Sequence, residues 1–321
     1  MTARPPTVKS EIDLRERLRR KRMTAITAFQ CHDGLVMAAD TEETYPDNKA
    51  YSFKLFPVER DDKRLCVSGA GGGYLIDYAK DQIVAALDAG IADMASFEIR
   101  LREVMRNLYE KEFPLYPVDH ESERQIQLLV GAQFKGRSAW FLPSLFECQS
   151  NLVTKLTNVA QRGRILGSGE VLKETVAQFA RWGLDVELAE LVSFYIMYEA
   201  KRNFSGVGGK THVFTMRRDG TTNYYTGRHL RERESVLDGF RGIAQLLLFA
   251  LEPSVSENKA NDFVDTAKKW IKDMRRYLQK VESGKVPSPT LITIQNRESL
   301  KMMRKLKSLM PSASRKGEPE Q

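Results

Sequence analysis

The chain has 321 residues, a formal net charge of +8 and three cysteines. This length predicts one domain of about 200–250 residues with an extension, and a core that needs no disulfide or metal. The odd number of cysteines, their wide spacing and the lack of a CxxC motif argue against a disulfide framework and a zinc site.

The positive charge is concentrated at the two ends of the chain. Residues 1–23 carry a net charge of +5 and residues 301–321 carry +4, which leaves about −1 for residues 24–300. A neutral folded body argues against specific nucleic-acid binding. The longest apolar stretch, residues 243–251, is too short to span a bilayer, and no apolar run of signal-peptide length follows the basic N-terminal residues. We therefore expect a cytoplasmic protein with no membrane or nucleic-acid partner.

The first half of the chain predicts two hairpins followed by two helices. The strands are residues 24–30, 34–40, 53–58 and 65–68, and the helices are about residues 75–87 and 95–111. Asp33-Gly34, between the first two strands, is a strong signal for a tight turn. A glycine-rich run at 69–73 opens the first helix. It does not match the GxGxxG dinucleotide pattern, because Tyr74 stands where the last glycine is required, and no P-loop lysine follows.

The second half repeats this order of strands and helices. Its predicted strands are residues 125–133, 138–142, 164–166, 211–216 and 223–226. Gly167-Ser168-Gly169 is predicted to begin a helix, with Ser168 or Gly169 near its cap. The helix over residues 187–202 is apolar on nearly every side, which predicts burial between layers.

Hairpin-connected strands imply antiparallel sheets, and helices that arrive in pairs imply a helical layer on each outer face. The sequence therefore predicts an α+β fold, a four-layer αββα sandwich. After about residue 233 the pattern is mostly helical. A narrow apolar stripe there either packs on its own domain or contacts another subunit. That stripe consists of Phe263, Ala267, Trp270, Met274, Tyr277 and Val281. We expect a basic leader at 1–23, a main domain at 24–233, and a helical extension with a basic tail at 234–321.

Several motifs along these elements follow one known order. Thr24 precedes Gly34 by ten residues and Asp40 by sixteen. The later motifs are Lys54, Ser68-Gly69, Gly167-Ser168-Gly169 and Ser205-Gly206. The order and spacing of these motifs resemble those of a proteasome β subunit or one of its bacterial relatives. Such proteins are proteasome-type N-terminal-nucleophile hydrolases. The resemblance covers about residues 24–226.

The resemblance implies a role for each matched residue. Thr24 is the nucleophile, with its own α-amine as the base, and Asp40 keeps Lys54 cationic so that Lys54 favours the alkoxide. The N–H of Gly69 faces the oxyanion. Ser168 and Ser205 supply hydroxyls near the amine, and the backbone of Thr44 binds an extended substrate. Because a threonine hydroxyl is a poor nucleophile without a base, these roles depend on a free amine at Thr24.

Three positions bear on whether that chemistry operates. Arg202 stands where the family has an aspartate, three residues before Ser205, and Glu42 stands where many active members have an arginine. Met23 precedes Thr24, so translation from Met23 followed by methionine removal would expose the threonine directly.

The sequence therefore predicts a threonine peptidase that cleaves polypeptides inside a ring-shaped homo-oligomer. Two alternatives stay open, namely a non-catalytic ring subunit of the same fold and an amidase for a small amide. No metal or organic cofactor is implied, and the sequence does not identify an ATPase or regulator.

Overall fold

The structure is a computed structural model that describes residues 24–44, 49–115, 126–157, 162–167, 172–204, 206–225 and 228–282. The chain divides into two compact units, with the boundary between Arg231 and Glu232. The first unit is an α+β fold with two antiparallel five-stranded sheets. The second unit is helical in its described part.

The strands of the described chain are numbered in sequence order. They are β1 (Ala25–Gln30), β2 (Gly34–Asp40), β3 (Glu42–Thr44), β4 (Lys49–Tyr51), β5 (Leu55–Glu59), β6 (Lys63–Gly71), β7 (Ile126–Phe134), β8 (Ser144–Gln149), β9 (Leu152–Lys155), β10 (Gly163–Gly167), β11 (Thr211–Arg217) and β12 (Thr222–Tyr225). The first sheet has the order β10-β1-β2-β11-β12, and the second has the order β5-β6-β7-β8-β9. Strands β3 and β4 form a separate short ladder.

The helices of the described chain are also numbered in order. They are α1 (Gly73–Asp88), α2 (Met94–Asn107), α3 (Lys173–Arg181), α4 (Val186–Asn203), α5 (Arg228–Ala250) and α6 (Glu257–Glu282). Helix α2 continues into a π-helical turn, Leu108–Glu112, and a 3-10 turn, Phe113–Leu115. Within the described residues, no helix is both long enough and apolar enough to cross a bilayer.

The two sheets of the first unit pack face to face. Their shared core contains Ile26, Ala28, Leu35, Met37 and Ala39 from the first sheet, and Leu55, Cys66, Leu129 and Leu145 from the second. The sheets approach so closely at Gly131 of β7 that a Cβ there would lie 2.2 Å from the Leu35 side chain. Burial of these alternating inward residues is the main stabilising contribution to the pair.

Helices pack against both sheets. The apolar stripe of α1, which includes Leu75 and Ile83, joins α2 residues such as Phe97 in one core with β6, β7 and β8. Helix α4 contacts β1, β2 and β11, while α3 contacts β10. The second unit has its own small core, in which Leu246 of α5 and Phe263 of α6 are buried.

The structure confirms the α+β class and most of the predicted elements, and it corrects two. Residues 138–142 are not a strand; β7 instead pairs with β8 at 144–149, because the chain first makes an isolated bridge between Lys135 and Trp140. Helix α4 is not buried on all sides, since the side chains of Leu188 and Leu191 are each 43% exposed.

Candidate active site

Thr24 lies immediately before β1 and is half-buried. Two contacts fix the backbone around it. The N–H of Ala25 donates to Asp40 Oδ1 at 2.9 Å. On the other side, Gly167 of β10 packs so tightly that a Cβ there would lie 1.9 Å from the Thr24 carbonyl oxygen, and its φ is +79°. Only glycine suits that combination of left-handed backbone and close approach.

Asp40 ends β2 and is fully buried. Its carboxylate accepts hydrogen bonds from four groups. Oδ1 accepts from the Ala25 N–H and from Lys54 Nζ, both at 2.9 Å. Oδ2 accepts from the N–H of Glu42 and of Gly208, both at 3.2 Å. Only the ionised form can accept from all four donors, so the site is built for a carboxylate.

Lys54 lies just before β5 and is 6% exposed. Its ammonium donates to Asp40 Oδ1 and, at 2.5 Å, to the carbonyl oxygen of Glu42. The Ser68 hydroxyl donates to the Lys54 carbonyl at 2.6 Å, which fixes the backbone from which the side chain extends. Two of the three N–H groups of the ammonium are thus used by described acceptors.

Two opposing effects act on the pKa of the Asp40 carboxyl. Burial raises the pKa above its ordinary value, because the charged form loses hydration. The Lys54 ammonium and the N–H groups of Ala25 and Gly208 act against this by stabilising the negative charge. The pair therefore depends on both partners, and loss of either would leave a buried group without its partner.

Gly69 is buried in β6, just past the point where β5 begins. Leu55 of β5 pairs with Ser68, so β6 continues beyond its neighbour at Gly69. A Cβ at Gly69 would lie 2.7 Å from the Leu128 side chain and 2.9 Å from that of Ile76. The next residue, Ala70, lies 3.6 Å from where a Cβ on Gly167 would be, so this end of β6 adjoins the strand that packs on Thr24.

The structure brings together Thr24, Asp40, Lys54 and the Gly69 end of β6, and it leaves other expected site residues unplaced. Ser168 and Ser205 lie outside the described residues, as does the predicted helix cap; α3 begins at Lys173. The backbone of Thr44 pairs with Lys49 in the short β3–β4 ladder.

No cluster that could bind a metal ion is found among the described His, Cys, Asp and Glu residues. Cys31, Cys66 and Cys148 are buried free thiols. Burial raises the pKa of each thiol well above its ordinary value, so none resembles a reactive thiolate.

Sequence reasoning missed the backbone contacts that two residues make in the site. Gly208 donates its N–H to Asp40, and Glu42 uses its backbone to contact both Asp40 and Lys54. The Gly208-Gly209 pair was a visible signal of unusual backbone, but nothing in the sequence placed it beside a residue 168 positions away.

Comparison with known proteins identifies the fold. No protein-family model and no curated protein sequence matches the chain. Solved structures do match. Anbu (ancestral beta-subunit) from Yersinia bercovieri has a TM-score of 0.59 and 16% identity, and the match covers 73% of this chain and 99% of that one. Anbu from Hyphomicrobium sp. strain MC1 has a TM-score of 0.56 and 17% identity, covering 73% and 100%.

A third match is the helical assembly of the Anbu complex from Pseudomonas aeruginosa. Its TM-score is 0.57 at 17% identity, and the match covers 73% of this chain and 98% of that one. The chain has the fold of the Anbu proteins. At these sequence identities the structural similarity establishes the fold alone and does not show an activity.

These matches correct the family expected from the sequence. The expectation of a proteasome β subunit is wrong: the matching structures are Anbu (ancestral beta-subunit) proteins, and at these identities they do not show an N-terminal-nucleophile hydrolase. The error has a physical reason. The spacing of Thr24, Gly34 and Asp40 is set by the register of the β1–β2 hairpin, in which Ile26 pairs with Ala39. The register explains why positions 24 and 40 lie close together, and that geometry by itself indicates a fold rather than a family.

Proposed function

We propose that this chain is a threonine peptidase that hydrolyses peptide bonds with Thr24 as its nucleophile once residues 1–23 are absent. One observation supports this most strongly. A buried ammonium, Lys54, is held by a buried carboxylate, Asp40, which also binds the N–H of the residue next to Thr24. A buried ion pair is costly to maintain, so its place beside a threonine at a strand start favours a chemical role.

The first step forms a covalent intermediate. The Thr24 hydroxyl attacks the carbonyl carbon of the substrate, and its proton passes to the α-amine of Thr24. The third N–H of Lys54 favours the developing alkoxide, while Asp40 keeps the ammonium oriented. The N–H of Gly69 donates to the oxyanion of the tetrahedral intermediate.

The second step releases the products. The protonated amine gives its proton to the leaving nitrogen as the carbon–nitrogen bond breaks, which leaves an ester on Thr24. A water molecule, deprotonated by the same amine, then hydrolyses the ester and regenerates the hydroxyl. Ser168 and Ser205 are proposed to orient the amine, and the Thr44 backbone to pair with an extended peptide substrate.

The finer architecture and the assembly are proposals as well. The contacts of α1 and α2 with one sheet, and of α3 and α4 with the other, support a four-layer αββα arrangement over residues 24–233, followed by a helical extension at 234–321. The helical assembly formed by the Pseudomonas aeruginosa Anbu complex supports a homo-oligomer of this chain, in ring or helical form. The cytoplasm fits three free thiols.

A non-catalytic subunit of the same fold is the second candidate. Thr24 follows 23 residues in this chain, and its nitrogen is then part of a peptide bond. In that state the base of the proposed reaction does not exist. The state of the native N-terminus therefore separates the two functions.

We predict that the native protein begins at Thr24 and that Thr24→Ala lowers kcat/KM for an unfolded protein or peptide by at least about a thousandfold, because the nucleophile is lost. Thr24→Ser keeps a hydroxyl and should retain measurable activity. N-terminal sequencing of protein from its native host, with a fluorogenic peptide assay of each variant, provides the measurements.

Lys54→Met tests the ammonium in the same assay. It should lose activity as fully as Thr24→Ala, and the double variant should be scarcely worse than either single one. Circular dichroism is needed as a control, because removing one partner of a buried pair costs about 3–5 kcal/mol. A native chain that starts only at residue 1 or 2, or full activity in Thr24→Ala, would contradict the peptidase function.

A further inference from the structure

The loop at residues 206–210 is joined to the end of β2 by backbone hydrogen bonds. The carbonyl oxygen of Gly208 accepts from the N–H of Thr41 at 3.3 Å and of Glu42 at 3.2 Å. In return, the N–H of Gly208 donates to Asp40 Oδ2 at 3.2 Å. The N–H of Lys210 donates to the Thr41 hydroxyl at 2.8 Å. Gly208 is therefore the residue of this loop that touches the Asp40 carboxylate.

The backbone of Gly208 does not itself require glycine. Gly206 and Gly209 have φ values of +93° and +69°, which other residues rarely adopt, whereas Gly208 has no positive φ. The restriction comes from outside the loop. A Cβ at Gly208 would lie 2.3 Å from Oε2 of Glu42 and 2.9 Å from its Cδ. The Glu42 carboxyl group thus occupies the space that a side chain at position 208 would need.

Glu42 is buried, and its backbone is bound to the ion pair. It is 5% exposed. Its N–H donates to Asp40 Oδ2 and its carbonyl oxygen accepts from Lys54. A methyl group at position 208 must displace either the Glu42 carboxyl group or the Gly208 backbone. Because burial restricts rotation of that carboxyl group, we expect the loop to move, and with it the Gly208 N–H that binds Asp40 Oδ2.

We infer that Gly208 is a positioning residue for the Asp40–Lys54 pair and that the packed Glu42 side chain is what requires glycine there. The inference rests on the proposed function, because it states how that reaction's ion pair is held. It leads to a specific expectation: when the Glu42 side chain is shortened, the protein should tolerate a residue larger than glycine at position 208.

A double-mutant cycle tests this expectation, using Gly208→Ala, Glu42→Ala and the two combined in the protein that begins at Thr24. Hydrolysis of a fluorogenic peptide gives kcat and KM. Gly208→Ala should lower kcat at least about tenfold with KM within about twofold of wild type, because a loss confined to the transition state lowers kcat. The combined variant should recover to within about threefold of Glu42→Ala, since the methyl group then has room.

Thermal unfolding of the same four proteins gives a readout that does not depend on activity. Gly208→Ala should lower Tm, and the combined variant should recover most of that loss. If Gly208→Ala does not fold, the combined variant is still expected to fold and to hydrolyse the peptide. Gly239→Ala is the matched control, because a Cβ there meets only the flexible end of Met274, at 3.2 Å, and should leave kcat unchanged.

The outcomes separate this inference from the proposed function. Normal kcat in Gly208→Ala, or a combined variant no better than Gly208→Ala, overturns the positioning role while Thr24-dependent hydrolysis stands. Hydrolysis that persists in Thr24→Ala overturns the proposed function, and the inference with it.

Discussion

At the scale of single residues, buried polar groups beside the candidate site connect its stability to pH. His212 on β11 is 5% exposed. The hydroxyl of Tyr224 lies 3.1 Å from its Nδ1, within hydrogen-bond distance. The ring of Phe53, the residue before Lys54, lies 5.0 Å away between centroids. Burial lowers the pKa of His212 below its ordinary value, and the ammonium groups of Lys210 and Lys201 lower it further.

This lowered pKa predicts acid sensitivity of the fold. In the unfolded chain a histidine binds its proton at a pH near 6.5, whereas folded His212 binds it only at lower pH. The unfolded state therefore binds more protons below about pH 6.5, and the free energy of unfolding falls as pH decreases through that window. The contribution of one group is at most about 1.4 kcal/mol per pH unit.

Urea unfolding of wild type and His212→Asn between pH 7.5 and 5 measures the effect. Wild type should lose more stability than the variant as the pH falls below about 6.5. Tyr224→Phe keeps the imidazole while removing its hydrogen-bond partner, so it should still lose more stability than His212→Asn over the same pH range. If the free energy of unfolding changed equally with pH in wild type and in His212→Asn, the pKa of His212 would not be the cause of the acid sensitivity.

The candidate site shows which residues a sequence can reveal. Thr24 and Asp40 belong to one hairpin, so their spacing fixes their proximity. Lys54 was found through resemblance, because a solvated lysine and a buried one look alike in a sequence. Gly208 was not found, because its contact with Asp40 depends on how β11 pairs with β2, which no local signal sets.

At the scale of elements, the β1–β2 hairpin is the part of the fold that the sequence predicts best. Its turn is closed by the Cys31 N–H, which donates to the Gly34 carbonyl at 2.8 Å. Asp33 connects the turn to α4, since its carboxylate accepts from the N–H of Val186 at 3.0 Å. By contrast, β8 was misplaced because a local turn at 135–140 resembles a hairpin and the true pairing is decided by burial of residues such as Phe146 between neighbours.

At Gly34 this hairpin packs closely against β11 and α4. A Cβ there would lie 2.3 Å from the backbone oxygen of Met216 and 2.6 Å from the Val186 side chain. We predict that Gly34→Ala lowers the free energy of unfolding by about 3 kcal/mol, the upper end for overpacking, because a backbone carbonyl cannot rotate away.

Urea denaturation measures this loss, and Gly90→Ala is the comparison. Apart from its own residue and chain neighbours, a Cβ at Gly90 meets no heavy atom within 4 Å, and its φ is +90°, so that variant bears only a backbone penalty of about 1–2 kcal/mol. A Gly34 variant at least as stable as the Gly90 variant would show that the neighbouring strand and helix yield more easily than this packing implies.

At the scale of the whole molecule, the helical unit uses part of its apolar stripe internally. Phe263 and Ala267 of α6 are buried, and Phe263 packs with Leu246 and Phe249 of α5. Trp270, Met274 and Tyr277 are only half-buried. Packing on its own unit is therefore found for the first part of the stripe, and contact with another subunit stays a prediction for the second part. Its first part stabilises the helical pair, and its second part retains apolar surface.

This division predicts how the chain assembles. Under the proposed function, a threonine nucleophile exposed on a monomer would attack proteins without selection, so a closed homo-oligomer is expected, and symmetric contacts are its usual basis. We predict an oligomer in light scattering at micromolar concentration, and a lower mass for Trp270→Glu, because large aromatic side chains dominate interface energetics. Phe263→Ala is the control: it should lower Tm through the cavity it leaves, without changing the mass. A monomeric wild type would refute the assembly, whereas an unchanged mass in Trp270→Glu would refute only the contribution of α6.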